Sequence, residues 1–317
     1  MPTSHFAPRT LRILAASVLS FCAWTTLASG ESTGFKFKDI NDKSLGLWEG
    51  ERPVFVYNHG DIGLPARPRT HPHSNYFHPL YGLDGEVLTD DFPADHYHHR
   101  GLYWAWPHIK IGKREYDLWS YRGIRYKLNR WLAKEATSDG AKLGVENGWY
   151  VRDKQVMKEE AWVEVHPASD SGRNIDLTLT WTPTDEPITL RGAEGKSYGG
   201  LVLRFAPRTE TTITAPDGRT SEDLLIRRLP WADLSARLTG AGAPSGAAAF
   251  VHPRHPDYPP EWMTRDYGVL AVGWPGVEPK TLTAGEPVTC RYRVWIHRGV
   301  PELEVIKKAY DEYRKVE

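Results

Sequence analysis

Apolar and polar residues alternate in short runs along most of this chain, the period of strands buried on one side. Phe35-Lys36-Phe37-Lys38-Asp39-Ile40 is one such run, and residues 45–48 and 53–57 predict a hairpin about a Glu-Gly-Glu turn. Further strands are expected at residues 102–106, 162–165, 175–181, 200–205, 247–251, 268–272 and 290–296. Proline, glycine and aspartate interrupt these runs at short intervals, which points to an antiparallel sandwich and away from a βαβ fold. The C-terminus differs. Leu303, Ile306, Ala309, Tyr310 and Tyr313 recur at helical spacing behind Pro301, so a short terminal helix is predicted. No internal repeat is present, and the Gly/Ala/Pro-rich stretch 240–248 is too short to divide domains. The expected architecture is all-β: one large antiparallel β-sandwich domain over residues 31–317 with a short C-terminal helix.

The first thirty residues have a separate pattern. Arg9 and Arg12 precede an apolar run from 13 to 27, and Ala28-Ser29-Gly30 follows, the order of an export signal peptide cleaved after Gly30. Cys22 follows Phe21 where a lipid-anchoring motif requires a small residue, which disfavours a lipoprotein. No later segment approaches about eighteen uninterrupted apolar residues, so no membrane span is expected after cleavage. The mature chain is expected outside the cytoplasm, periplasmic or extracellular. It keeps one cysteine, Cys290, which excludes an intrachain disulfide.

Charge excludes some partners. The full chain has 40 basic and 40 acidic residues; loss of Arg9 and Arg12 leaves the mature chain about two charges negative. No basic stripe suits nucleic acid, and no polybasic patch suits anionic lipid. Of 13 tryptophans only Trp24 lies in the leader. Such a content suits a packed β core, and it also suits stacking on the apolar faces of sugars.

Candidate chemistry concentrates in Asp95-His96-Tyr97-His98-His99-Arg100-Gly101, within a window from His71 to His108 that holds seven of the 13 histidines. Imidazole titrates closest to neutrality and is the commonest metal ligand. If the segment is extended, His96, His98 and Arg100 share one face, while Asp95, Tyr97 and His99 share the other. An H-x-H pair on a strand sets its Cα atoms about 6–7 Å apart, close enough to chelate one ion. His78, His71 or His73 could supply a third ligand to a zinc, manganese or calcium ion. Two other readings stay open. One is a metal-free acid/base site in which Arg100 steadies negative charge; the other is a structural network. No glutamate follows H-x-H at the spacing of a cupin metal site. No G-x-S-x-G, P-loop or G-x-G-x-x-G stands between strand and helix, so no nucleotide cofactor is expected.

Other residues could complete such a site. His78 and Tyr81 precede a tight Asp84-Gly85 turn, and Trp104 and Trp106 share one face of the following strand. Tyr198-Gly199-Gly200 enters a strand bearing Arg204, its glycines permitting close backbone approach or a bulge. The proline-rich loop 252–260 leads to Trp262, Arg265 and Asp266, and His297 closes the last strand. Each of these side chains can bind a hydroxylated ligand, and each has a bland alternative as core, turn or surface ion pair.

Four strings carry a resemblance. They are FHPLYGLDGEVLTDDFPADHYHHRGLYWAW from Phe77, YGGLVLRFAP from Tyr198, HPRHPDYPPEWMTRDYG from His252 and YRVWIHRG from Tyr292. They resemble a group of exported bacterial proteins of unassigned function, labelled PmoA-like after a methane oxygenase subunit. That subunit is an integral membrane protein, so its activity does not transfer to a chain without a span. The resemblance implies a sugar-catabolic setting, and the strand pattern is similar to galactose-mutarotase-like supersandwich folds; it implies no catalytic residues.

These readings converge on an exported carbohydrate-active enzyme. It would act on a sugar or an oxidised keto or uronic derivative by histidine-assisted proton transfer, as a lyase, hydrolase or epimerase. Its expected catalytic group is His78, Asp95, His96, His98, His99 and Arg100, with His96, His98 and His78 as the metal option. Tyr81, Trp104, Trp106, Tyr198, Arg204, Trp262, Arg265, Asp266 and His297 are the expected ligand-binding residues. The alternative is a non-catalytic glycan-binding protein with a structural histidine or metal site.

Overall fold

A computed structural model describes residues 1–3, 34–64, 72–220 and 222–316. The apolar run of the expected leader, its cleavage point at Gly30, and His71 lie outside the described residues. Chain contacts separate Met1–Glu31 from one compact unit, Ser32–Glu317.

That unit is built from antiparallel sheets. The first has nine strands in the order Phe35–Asn41, Ser44–Glu49, Arg52–Asn58, Tyr76–Leu80, Leu102–Ala105, Gly200–Arg204, Val269–Gly273, Glu261–Arg265 and Leu225–Arg228. The second also has nine: Gly218–Thr220, Arg208–Ala215, Trp231–Leu238, Ser245–Val251, Val288–Arg298, Arg173–Pro183, Lys154–Val165, Ala141–Val151 and Arg125–Ala136. A small third sheet pairs Lys280–Leu282, Ile188–Arg191, His108–Ile111 and Arg114–Tyr116. The fold is therefore the expected large antiparallel sandwich. The long strand Arg125–Ala136 sits at an edge, and register shifts at Leu128/Arg130 and Trp131/Ala133 break its alternation, so a period-two reading did not mark it.

The helix Leu303–Tyr313 covers the outer face of the second sheet. Ile306, Tyr310 and Tyr313 are its buried stripe, and they meet Trp231, Ala248, Phe250 and Trp295 there. No described helix is long and apolar enough to cross a membrane.

The main core lies between the two large sheets, and its centre is polar. Glu159 is fully buried and accepts hydrogen bonds from Asn75 Nδ2 (2.6 Å), Trp149 Nε1 (2.9 Å) and Trp181 Nε1 (2.8 Å). Asn75 Oδ1 in turn accepts from Tyr57 Oη (3.0 Å) and Asn147 Nδ2 (2.9 Å). Burial pushes the Glu159 carboxyl up, and the indole and amide donors oppose it. The network ties the second sheet to the residue that precedes strand Tyr76–Leu80 of the first. Glu159→Ala strands two indole N–H groups and an amide, and should lower stability by about 3–5 kcal/mol. A urea titration checks this, with a shifted midpoint and an unchanged slope expected.

Candidate functional site

Strand alternation places the site on the far side of the first sheet from this core. Phe77, Trp104 and Leu203 point inward, so Tyr76, Tyr103 and Arg204 point outward. Tyr76 pairs with Tyr103 in register, and Val202 pairs with Tyr103 on the next strand. All three outward side chains are nonetheless buried, because loops cover them. The covering comes from the connection between Leu80 and Leu102, from the 117–121 loop carrying Trp119, and from Tyr267 in the turn between the last two paired strands. Gly101 makes this crossing possible: a Cβ there would lie 2.1 Å from the Phe77 carbonyl oxygen. Gly200, at φ +121°, allows a similar approach to the Val272 carbonyl.

The histidine segment is not extended. His96 N donates to Pro93 O (3.1 Å) and His99 N donates to His96 O (2.9 Å), so two successive turns replace the expected strand. Residues three apart in such turns lie over one another. His96 accordingly stacks on His99 with ring centroids 4.7 Å apart and planes 9° apart, and Tyr267 stacks on the other face of His96 at 5.2 Å and 9°. His98 meets both neighbours edge-on, at 5.7 Å from His96 and 4.8 Å from His99. The expected division of faces is therefore corrected, and all three imidazoles gather in one cluster.

Asp95 anchors the cluster to the sheet. Its two oxygens accept from Arg204 Nη2 at 2.8 and 2.9 Å, and its carboxylate lies 3.0 Å from His96 Nδ1. Partial burial opposes ionisation of Asp95, but the His96 and Arg204 contacts outweigh it and bring its pKa down to about 2. Arg204 Cζ also sits 5.1 Å from the Tyr267 ring centroid. Burial lowers His98 to about 4 and His99 to about 2, helped by neighbouring histidines and arginines. Both are neutral at pH 7. His96 and His98 remain partly open to solvent, whereas His99 is buried. Trp119 stands edge-on to His99 at 5.6 Å and packs on half-buried Tyr198 at 4.6 Å.

Several expected members stand elsewhere. Arg100 is 1% exposed, with Nη1 donating to Tyr97 O (2.8 Å) and His99 O (2.6 Å) and its guanidinium 3.5 Å from the Phe92 ring centroid. It braces the loop from beneath and does not face solvent with His96 and His98. His78 keeps its Nδ1 against Thr89 Oγ1 at 3.1 Å, and burial with nearby Arg100 lowers it to about 4. Tyr81 bridges to Val87 across the Asp84-Gly85 turn. Trp104, Trp106 and Trp262 are core residues with no usable surface. Trp106 Nε1 donates to Trp274 O and Trp262 Nε1 to Leu229 O, because a buried indole N–H needs an acceptor. Arg265 pairs with Asp223 at 2.7 Å, and Asp266 is an exposed turn residue whose N–H donates to that same aspartate. His297 lies in the second sheet, buried against Asp233 at 2.7 Å.

The metal option finds no support among the described residues. Among the described residues no three His, Cys, Asp or Glu side chains form a ligating array. His96 and His98 meet ring edge to ring face, and His78 is turned to Thr89. Conversely, Tyr103, Trp119 and Tyr267 belong to the site although sequence reasoning passed over their role. Tyr267 stood beside the noted Arg265-Asp266 pair, but nothing local marked Trp119.

Among solved structures the chain is similar to a galactose mutarotase related enzyme from Lactobacillus acidophilus. Identity is 9%, coverage is 84% of this chain and 99% of that one, and the TM-score is 0.40. It is also similar to an aldose epimerase homologue from C. elegans, at 8% identity over 84% of this chain and 100% of that one, TM-score 0.32. A polysaccharide lyase shares 11% identity over 87% of this chain and 34% of its own, with a TM-score of 0.35. No curated protein matches the sequence. The sequence pattern of a family of unknown function, DUF6807, matches residues 46–311, and nothing in it points to a methane oxygenase. The chain belongs to that family of unknown function.

Proposed function

We propose that this protein is an exported carbohydrate-active enzyme whose histidine cluster moves a proton on a sugar or oxidised sugar. One observation carries the reading. Two partly open imidazoles, His96 and His98, stand together beside an ionised aspartate fixed by a buried arginine. Proton transfer needs a proton-accepting side chain at a defined place, and a neutral imidazole is such a group. Asp95 orients His96 through Nδ1, leaving Nε2 for the substrate. His98, kept neutral by burial, is the second imidazole within reach of the same sugar carbon or oxygen. Half-buried Tyr198 and Tyr267 offer flanking aromatic rings suited to a pyranose face. Epimerisation, elimination and hydration all draw on this equipment.

His96→Gln and His98→Gln should each lower kcat/KM by about 100-fold or more on the sugar that is turned over. Their melting temperatures should stay within about 4 °C of wild type. A screen of neutral, keto and uronic sugars and their glycosides supplies the substrate. Binding without turnover of any of them would instead establish a glycan-binding protein.

The lowered imidazoles also set a pH dependence. His78, His98 and His99 resist protonation when folded but accept a proton near pH 6.5 when unfolded. The unfolded chain therefore binds more protons below pH 6.5, and stability falls as pH drops from about 6.5 towards 4. Asp95 adds a further loss between about 3.8 and 2. Urea midpoints measured at pH 7, 5.5 and 4.5 should decline in wild type and decline less in His99→Phe. Equal slopes in the two proteins would mean that His99 is not held neutral.

A further inference from the structure

The second sheet turns one face to the core and the other outward. Ala161, Val163, Leu177, Leu179 and Tyr292 take the core side, so Trp162, Thr178 and Arg291 stand on the outer face. Register sets these three side by side on adjacent strands, with Gly144 next in the same row. A Cβ on Gly144 would lie 2.5 Å from Trp162 Cζ3, so the indole occupies the space above that glycine. The ring therefore leans away from Thr178 and leaves the middle of the row open. A cavity of about 170 Å³ lies there, between Trp162 and Arg291. His252 and Tyr313 close its far side, where His252 Nε2 meets the Val316 carbonyl oxygen at 2.8 Å.

The polar groups around this cavity have unused bonds. Among the described residues, the Trp162 indole N–H, the Thr178 hydroxyl and the Arg291 guanidinium bond to no other group of the chain. All three residues are half-buried, so these groups border the cavity without being sealed in. The carboxylates on its rim are already engaged. Glu164 pairs with Lys142 at 2.8 Å, and Asp176 meets Arg293 Nη2 at 2.7 Å and His166 Nε2 at 2.9 Å. A cationic ligand would find no free counter-ion and would face Arg291. An anion would be drawn to Arg291 but would sit against Glu164 and Asp176. A neutral ring with several hydroxyls meets neither cost. Its hydroxyls accept from Arg291 and from the indole N–H and exchange bonds with Thr178, while its C–H face packs on the indole.

We propose that this trough is a second carbohydrate-binding site, taking one neutral pyranose ring of a glycan chain. The packed core separates it from the histidine cluster, which lies on the outer face of the first sheet. The two sites therefore hold different sugar units, and the trough keeps a polymer close to the protein whether or not the histidines are catalytic.

Native electrophoresis through gels containing xylan, galactan, β-glucan or galactomannan tests the site by binding alone, with polygalacturonate as the anionic comparison. At least one neutral polysaccharide should retard the wild type, and Trp162→Ala should weaken that affinity about tenfold or more. Thr178→Val and Arg291→Ala remove polar groups that bond to nothing else in the chain, so both should keep the wild-type melting temperature and lose most of the retardation. They decide the matter if Trp162→Ala does not fold. His96→Gln should be retarded as wild type is, and Trp162→Ala should keep the wild-type kcat/KM on any short sugar that is turned over. No retardation in any neutral gel, retardation by polygalacturonate alone, or retardation unchanged in both Thr178→Val and Arg291→Ala overturns the proposal. So does retardation lost in His96→Gln and kept in Trp162→Ala, which would assign the binding to the histidine cluster. Retardation lost in Trp162→Ala, with no turnover of any sugar by the wild type, would remove the proton-transfer reading and leave this site standing.

Discussion

A carboxylate sealed from water is the constraint around which the sandwich is arranged. Glu159 cannot be left bare between two sheets, because an uncompensated charge there would cost several kcal/mol. Trp149 and Trp181 bring indole donors from the second sheet, and Asn75 brings an amide from the first. Drawing Asn75 inward fixes the phase of the strand that follows. Phe77 must then face the core, and Tyr76 and His78 must face away. A slip of one residue would bury the functional face and expose the core. The bond that closes the core therefore also determines which side of the sheet can carry chemistry.

This division explains the fate of the aromatic residues. High tryptophan content is compatible with sugar stacking, yet Trp104, Trp106, Trp149, Trp181, Trp262 and Trp274 are among the largest fully buried side chains. A stacking platform needs an open ring face, which these rings have given up to one another. On the outward face the partly open rings are tyrosines, Tyr198 and Tyr267, supported by buried Trp119. Tyrosine suits that position because its hydroxyl tolerates solvent while its ring packs.

Much of the fold was legible in the sequence because it depends on local periodicity. Alternating runs such as Ile175-Asp176-Leu177-Thr178-Leu179 became strands, and the three-to-four spacing after Pro301 became the helix. The histidine segment was legible as composition but not as shape. Period-two reasoning assumed an extended backbone, whereas the loop is held in turns by partners distant in sequence. Arg204 lies 109 residues beyond Asp95 in the chain. Tyr267, which stacks on His96, is more distant still, so no window along the chain could reveal it. The corrections to Arg100 and His297 have the same origin. A charged residue near a cluster looks functional until its partners are known, and these two spend their bonds on a loop backbone and on Asp233.

The two faces of the first sheet treat polar groups in opposite ways. Inward, Glu159 and Asn75 have their bonds made, as a permanent core requires. Outward, among the described residues, buried polar atoms without a hydrogen bond gather at His99, Tyr103, Trp119, Arg204 and Arg208. Unmade bonds destabilise the folded state wherever they occur, so their concentration at one place is not a property of packing alone. The Glu159 network stabilises the sheet, and the sheet holds the outward patch in register. Such a patch is where an incoming ligand gains most, because the desolvation of its donors was completed when the chain folded.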